Sequence, residues 1–216
     1  MSMNFFRGTV LVAFALAVGA FAQPNGTQDH FFQVRYASNL NVGDSVVNIT
    51  NSGALGAGLP AGTSAGTTGA ICVNVYAFSP DEQMISCCSC PVTPNGLVSL
   101  SARQDLISNT LTPAVPTSIV IKLLATTPNV GSCAASAATP SATPFARGML
   151  AYGTTVHAAA VAGGDPAVTE TPFGAATLSA GELGRLQSLC TFINANGSGF
   201  GICRSCRLGG LGAGRL

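Results

Sequence analysis

Charged side chains are scarce in this chain of 216 residues, where nine Lys and Arg and eight Asp and Glu make up 8% of the sequence. The formal net charge is +1, so the chain has no strong field to steer a nucleic acid or an acidic lipid surface toward it. The mean hydropathy is positive, at +0.44, which is unlike a segment disordered by charge repulsion. Ser, Thr, Asn, Ala and Gly must then cover much of the surface, and such a surface tolerates close contact with copies of itself.

Groups suited to acid–base chemistry are equally few, with two histidines and eight carboxylates. The single Gly-x-Ser-x-Gly pattern, at residues 62–66, lies in a low-complexity loop and lacks the strand-to-helix turn of a nucleophile elbow. No lysine completes a phosphate loop at residues 53–58, and no Cys-x-x-Cys-His motif would attach haem. His157 lies in an apolar alternating run, which favours a packed or surface histidine over a general base. The sequence therefore predicts no catalytic residue, no cofactor and no metal, and a protein that is not an enzyme.

Residues 1–22 have the three parts of a secretory signal, with Arg7 before an apolar stretch at residues 9–19 and small residues at Ala20 and Ala22. The stretch is shorter than the roughly 20 residues of a membrane span, so we expect cleavage after Ala22 and no stable membrane insertion. Gln23 replaces the cysteine that a lipid anchor would need. A buried amphipathic helix is the alternative, although the stretch has no polar face. We predict a secreted, extracellular protein at the cell surface.

All eight cysteines follow this signal: Cys72, Cys87, Cys88, Cys90, Cys133, Cys190, Cys203 and Cys206. An even number of cysteines in an exported chain is typical of disulfides, although the spacing leaves their connectivity open. Cys87 and Cys88 would point to opposite faces of a strand and so bridge different partners. We expect Cys190, Cys203 and Cys206 to bond the tail and the cluster at residues 87–90 to the body of the protein.

Zinc is the alternative for part of this set, because Cys88, Cys90, Cys203 and Cys206 could supply four thiolates. Export argues against it, since thiolates rarely stay reduced outside the cytoplasm.

Alternating apolar residues predict a mainly β protein. The predicted strands are residues 31–37, 45–50, 71–78, 84–88, 97–101 and 117–125, and residues 149–161 are expected to form a last strand or a strand pair. Residues 102–108 fit one helical turn or a loop, and residues 51–70 and 134–144 are low-complexity loops.

One helix is expected at residues 180–195. Ser179 and Glu182 form a capping box, apolar residues follow at helical spacing, and Asn196 precedes a glycine that would end the helix. The expected fold is a disulfide-linked, Ig-like β-sandwich with one C-terminal α-helix and a Gly-rich tail. We divide the chain into a signal (1–22), a leash with a possible donor strand (23–40), the sandwich (41–178), and the helix with its disulfide-linked tail (179–216).

The polar leash at residues 23–30 precedes an alternating strand in which Phe32, Val34 and Tyr36 share one face. A free strand of this kind can complete a neighbouring subunit's sheet, and the resulting head-to-tail interface builds a fibre. The alternative is that this strand is the first strand of its own sheet.

The segments Arg-Tyr-Ala-Ser-Asn-Leu at residues 35–40, Cys-Cys-Ser-Cys-Pro at residues 87–91 and Gly-Phe-Gly-Ile-Cys at residues 199–203 resemble a set of exported bacterial proteins, some of them similar to subunits of extracellular fibrils. The resemblance implies a structural subunit of a pilus-like filament, assembled from copies of itself. A secreted monomeric binding or adhesion domain is the alternative, and a periplasmic enzyme is the third possibility.

Three glycosylation sequons occur, at Asn25, Asn48 and Asn196. Glycans are accordingly a further candidate partner.

Overall fold

The computed structural model of the chain describes residues 30–57, 69–128, 133, 145–157, 164–196 and 207–208. Over these residues the protein is mainly β, with one π-helical turn at Ala102–Leu106 and one α-helix, α1, at Ala180–Ala195. The strands are β1 (Phe32–Ala37), β2 (Val46–Asn51), β3 (Ile71–Phe78), β4 (Met84–Val92), β5 (Leu97–Ser101), β6 (Ile119–Thr126), β7 (Met149–Val156), β8 (Val168–Pro172), β9 (Gly174–Ala175) and β10 (Arg207–Leu208).

These strands form two five-stranded antiparallel sheets. The first sheet has the order β4-β3-β6-β1-β9, and the second has the order β10-β5-β2-β7-β8. Only Phe173 separates β8 from β9, so the chain passes from the second sheet to the first at that residue. β1 and β8 therefore lie on the same side of the sheet pair, where the chain crosses between the sheets.

Apolar residues from both sheets meet in one buried cluster, which we call the inter-sheet core. It includes Val73 and Ile121 of the first sheet and Val47 and Leu100 of the second. β3 is buried along its whole length, because its other face, with Tyr76, packs beneath the helix. Because both faces of β3 are buried, its sequence is apolar almost throughout.

The helix begins and ends where the sequence predicts. The Ser179 hydroxyl accepts a hydrogen bond from the Glu182 amide at 3.1 Å, which is one half of the expected capping box. The Glu182 carboxylate makes no reciprocal bond and instead pairs with Lys122 Nζ at 2.5 Å. Lys122 is the only lysine of the chain, and this ion pair joins the first turn of the helix to the middle of β6.

One face of α1 packs on the first sheet and forms a second apolar cluster, which we call the helix-side cluster. Its buried members are Phe32, Tyr76, Phe78, Met84, Cys87, Leu124, Leu183, Leu186, Cys190 and Ile193. The first sheet is thus covered on both faces, by the second sheet and by the helix.

The predicted strands agree with the structure in number and order as far as residue 156, with shifts of a few residues at several ends. β4 is longer than expected and includes Cys90, and residues 102–106 form a π-helical turn. The strands β8 and β9 have no counterpart among the predicted ones. Every residue of β8 is exposed, so no buried period marks it in the sequence. The signal and most of the leash, the loop at 134–144 and most of the tail lie outside the described residues.

Candidate functional site

The first strand lies inside the first sheet rather than at its open edge. On one side β1 pairs with β6 over six residues, from Phe32 opposite Leu124 to Ala37 opposite Ile119. On its other side only Gln33 and Val34 pair, with the two residues of β9. We call the space that β1 occupies, between β6, β9 and the second sheet, the β1 groove.

The three donor candidates share the face of β1 that points toward the helix, and they differ in burial. Phe32 is 3% exposed and belongs to the helix-side cluster. Val34 is half-buried against the same cluster, and Tyr36 is 64% exposed. Phe32 therefore anchors the strand, whereas Tyr36 contributes little burial within this chain.

The opposite face of β1 carries Gln33, Arg35 and Ala37 and points toward the second sheet. The Gln33 side-chain amide is buried and donates to the carbonyl oxygens of Met149 in β7 and of His30, both at 3.0 Å. Ala37 is fully buried in the inter-sheet core. In the sequence, Gln33 and Arg35 resemble the solvent-facing half of an alternating strand, so their contacts with the second sheet are not apparent from the pattern.

Arg35 reaches across the gap between the two sheets. Its Nη2 donates to the hydroxyl of Thr155 at 2.5 Å, and its Nη1 donates to the carbonyl oxygen of Thr171 at 2.9 Å and to the Thr171 hydroxyl. The guanidinium also lies over the Phe173 ring, 6.0 Å from the ring centre. These contacts connect β1 with β7, with β8 and with the crossing between the sheets.

Burial and nearby charge act on Arg35 in opposite directions. Desolvation lowers the pKa of its guanidinium, and the nearby Tyr36 and Glu170 raise it in part. Arginine nevertheless stays charged, because its ordinary pKa lies far above neutral pH. Its Nε is buried and has no hydrogen-bond partner, so part of the charge is desolvated without compensation.

A glycine in β7 makes room for this side chain. A Cβ placed on Gly153 would lie 2.6 Å from Arg35 Nε and 2.7 Å from Arg35 Cδ, closer than real Cβ contacts allow. The space that receives Arg35 is thus built from the backbone of β7 as well as from polar side chains.

The disulfides lie elsewhere in the molecule. Cys87 of β4 is bonded to Cys190 of α1, and Cys72 of β3 is bonded to Cys133. The chain has no cysteine before residue 72, so β1 contributes to no disulfide. The covalent links therefore hold β3, β4 and α1, and leave β1 attached by non-covalent contacts alone.

The expected divergence of Cys87 and Cys88 is confirmed. Cys87 faces the helix, whereas Cys88 lies in the inter-sheet core together with Cys90. Cys88 and Cys90 are themselves disulfide-bonded, so they are not thiolates able to hold zinc. Cys203 and Cys206 fall outside the described residues.

Other predicted residues have their hydrogen-bond partners outside β1. The Asn48 side chain donates to Glu170 at 2.6 Å and accepts from the Ser99 hydroxyl, and Asn196 donates to the Phe192 carbonyl oxygen. Asn25 is outside the described residues. His157 Nε2 lies 2.8 Å from the Thr169 hydroxyl, which fits a surface histidine.

A shallow groove of about 230 Å³ lies at the β3–β4 turn. It is lined by Ser79, Pro80, Asp81, Gln83, Ile85, Thr112, Ala114, Val115 and Pro116. Asp81 accepts hydrogen bonds from Ser79 and Gln83 on its rim, and Val115 is 61% exposed.

Over the described ranges, no three His, Cys, Asp or Glu side chains are placed to hold a metal ion. In the same part of the chain, no helix is long and apolar enough to cross a membrane. Comparison with known proteins adds no family: no protein-family model, curated protein or solved structure matches the chain.

Proposed function

We propose that this protein is a structural subunit of an extracellular, pilus-like filament, in which β1 of one copy occupies the β1 groove of the next. The observation that carries the proposal is the way β1 is attached. Phe32 is buried on one face of the strand and Gln33 and Ala37 are buried on the other, yet no disulfide holds the strand in place.

A groove that has lost β1 would expose apolar surface on both sides. Phe32 would leave the helix-side cluster and Ala37 would leave the inter-sheet core. The exposed edge of β6 would also present unpaired backbone groups along six residues. Only another strand satisfies both the hydrogen bonds and the apolar surface, which is the basis of strand donation between subunits.

Exchange of β1 requires the rest of the subunit to stay folded. The Cys87–Cys190 bond supports this requirement by tying β4 to α1, and the Cys72–Cys133 bond does so by tying β3 to residue 133, both independently of β1. The expected cleavage after Ala22 would leave β1 near the free end of the mature chain, where a neighbour could capture it.

The proposal also covers the location of the protein, its sheet arrangement and its partner. Disulfides persist in oxidising compartments, which supports export through a signal at residues 1–22 and an extracellular location. We further propose that the two sheets have an Ig-like arrangement. The main partner in this proposal is another copy of the same chain. The scarcity of charge would let neighbouring surfaces approach without strong repulsion.

A pair of introduced cysteines tests where β1 resides. Tyr36 of β1 and Val120 of β6 are register partners, and directly opposed residues of antiparallel strands lie within disulfide range. In Tyr36→Cys/Val120→Cys, donation would link each subunit to the next and give a ladder of covalent multimers on a non-reducing gel. The matched control is Thr50→Cys/Leu97→Cys, a register pair between β2 and β5 that should link only within one chain.

The outcomes separate the hypotheses. A ladder from the first variant and single chains from the control would support donation. Filaments seen by electron microscopy together with only intrachain links at 36 and 120 would overturn donation. Single chains without filaments would overturn the filament itself.

A monomeric secreted binding domain is the second candidate, and the groove at the β3–β4 turn favours it. Its rim combines the polar groups of Asp81 and Gln83 with the exposed apolar side chain of Val115. Glycans would suit such a shallow, mixed surface. Binding to a panel of immobilised glycans that Asp81→Ala abolishes would support this function, and equal binding by both proteins would exclude this groove as the site.

A further inference from the structure

We infer that the β1 groove is selective for sequence: it recognises a strand with glutamine and arginine at alternate positions, as Gln33 and Arg35 stand in β1. The partner that fits best is then β1 of a second copy. This inference names the ligand of the groove and, as far as exchange between subunits is concerned, rests on the proposed function.

The groove contacts the side chains of β1 at two polar points. The first is the Met149 carbonyl oxygen, which accepts from Gln33 at 3.0 Å in a buried position. The second is the pair formed by the Thr171 carbonyl oxygen and the Thr155 hydroxyl, which accept from Arg35. All three acceptors belong to the second sheet, so they recognise side chains and not the backbone ladder of β1.

The two points differ in shape and polarity. A neutral amide suffices at Met149, where Gln33 is 1% exposed. The second point takes a longer, charged side chain that passes over Gly153 and lies against the Phe173 ring. Exchanging the two residues would bury a guanidinium at the first point and leave glutamine too short to span the second.

The same two points fix the register of the strand. A slip by one residue would turn the apolar face of β1 toward the polar acceptors. A slip by two residues in one direction would put Phe31 opposite the Met149 carbonyl oxygen, and in the other it would put Ala37 opposite Thr155 and Thr171. Neither Phe31 nor Ala37 has a side-chain donor, so the first slip leaves the buried Met149 carbonyl oxygen without a donor. The second slip moves the Arg35 guanidinium to that buried position and removes its contacts with Thr155 and Thr171.

Strand β1 would thus be distinguished from other alternating strands. Backbone pairing with β6 accepts any extended segment, because ladder hydrogen bonds carry no sequence information. The Gln-x-Arg pattern supplies the discrimination, through acceptors that only a matching strand satisfies.

A variant of unchanged composition tests the inference in the intact chain. In Gln33→Arg/Arg35→Gln the two residues trade places, and we expect the midpoint of thermal unfolding to fall by about 5–10 °C. The matched control, Val34→Tyr/Tyr36→Val, trades two residues on the helix-side face and should lower the midpoint far less. A fall no larger than that of the control would overturn the inference.

Strand exchange is measured separately with labelled peptides of residues 30–38 added to the full-length protein. The peptide in the natural order should be incorporated at least about tenfold more than one with Gln33 and Arg35 exchanged. Equal incorporation of both peptides would overturn selectivity. Incorporation of neither, together with destabilisation of the exchanged variant, would overturn exchange between subunits and leave the groove selective for its own strand.

Discussion

Strand β1 and helix α1 pack on the same sheet and share the helix-side cluster, yet they are held in different ways. The helix is fixed to β4 by the Cys87–Cys190 bond, which joins residues 103 apart in the sequence. The strand has a ladder of six pairs with β6 and polar contacts with the second sheet, and no covalent bond. A helix that packs through one face can separate from a sheet as a unit, whereas a strand is hydrogen-bonded along its length.

Under the proposed function, this difference decides which part of the fold would be exchanged between subunits. A contact held by a buried disulfide persists while the chain stays oxidised. A contact held by hydrogen bonds and apolar burial can be replaced by an identical contact from another chain at no net loss. Under the proposed filament assembly, the disulfide-linked β4 and α1 would stay together in each subunit, and a neighbour would replace β1.

Removing the Cys87–Cys190 disulfide should have the largest effect on stability, and it tests whether this bond is what holds the helix on the sheet. We expect Cys87→Ala/Cys190→Ala to lose about 4–5 kcal/mol of unfolding free energy, because the bond closes a long loop in the unfolded chain. Urea denaturation followed by circular dichroism measures the loss. A loss below about 1 kcal/mol would show that packing alone holds the helix, as it holds β1.

The apolar anchor of β1 should come next. Phe32→Ala empties a buried position between sheet and helix, and we expect a loss of about 3–4 kcal/mol. Tyr36→Ala, on the same face of the same strand but 64% exposed, should change stability by less than about 0.5 kcal/mol. Denaturation curves for the two variants measure the difference, and equal losses would mean that burial does not decide how β1 is held.

Filling the space over Gly153 that receives Arg35 should have a smaller effect on stability. In Gly153→Ala the new methyl group would displace the guanidinium from Thr155 and Thr171, and we expect a loss of about 1–2 kcal/mol. Gly174→Ala in β9 is the control, because its Cβ would meet only the Val34 carbonyl oxygen at 3.6 Å, an ordinary contact. Similar denaturation midpoints for the two variants would mean that Arg35 does not need this space.

The sequence predicts the part of this arrangement that depends on local patterns. Strand β3 and the bounds of α1 follow from apolar periodicity and from the capping residue Ser179. The roles of Gln33 and Arg35 could not be predicted, since their acceptors in β7 and β8 are more than 100 residues away in the chain. Short, exposed strands such as β9 have no period to detect, and their place depends on the sheet beside them.

Glu182 shows how tertiary contacts override a local motif. The capping box predicts that its carboxylate returns to the amide of Ser179. In the structure the carboxylate instead pairs with Lys122. The Lys122 Nζ also lies 4.9 Å from the centre of the Phe78 ring. A partly buried ion pair with a cation is a stronger partner for a carboxylate than a backbone amide, and only the folded sheet brings Lys122 close to it.

A buried tyrosine beside the helix disulfide gives the smallest effect and tests how much unpaired polarity the covalently held region tolerates. Tyr76 is fully buried in the helix-side cluster, and its hydroxyl has no hydrogen-bond partner. Tyr76→Phe removes that hydroxyl, so at pH 7 we expect the stability to stay the same or to rise by up to about 1 kcal/mol. A loss of more than about 1 kcal/mol at this pH would mean that the hydroxyl is hydrogen-bonded in solution.

Unfolding at alkaline pH distinguishes Tyr76→Phe further from the unsubstituted protein. Burial raises the pKa of Tyr76 above its ordinary value, because the charged phenolate is disfavoured in an apolar site. A raised folded pKa contributes stability that is complete below the unfolded pKa of about 10 and is lost as the pH rises above it, at about 1.4 kcal/mol per pH unit. Tyr76→Phe should lack this part of the decline, and Tyr36→Phe, at an exposed tyrosine, should keep it. Identical pH dependence in the two variants would contradict the burial of Tyr76 beneath the helix.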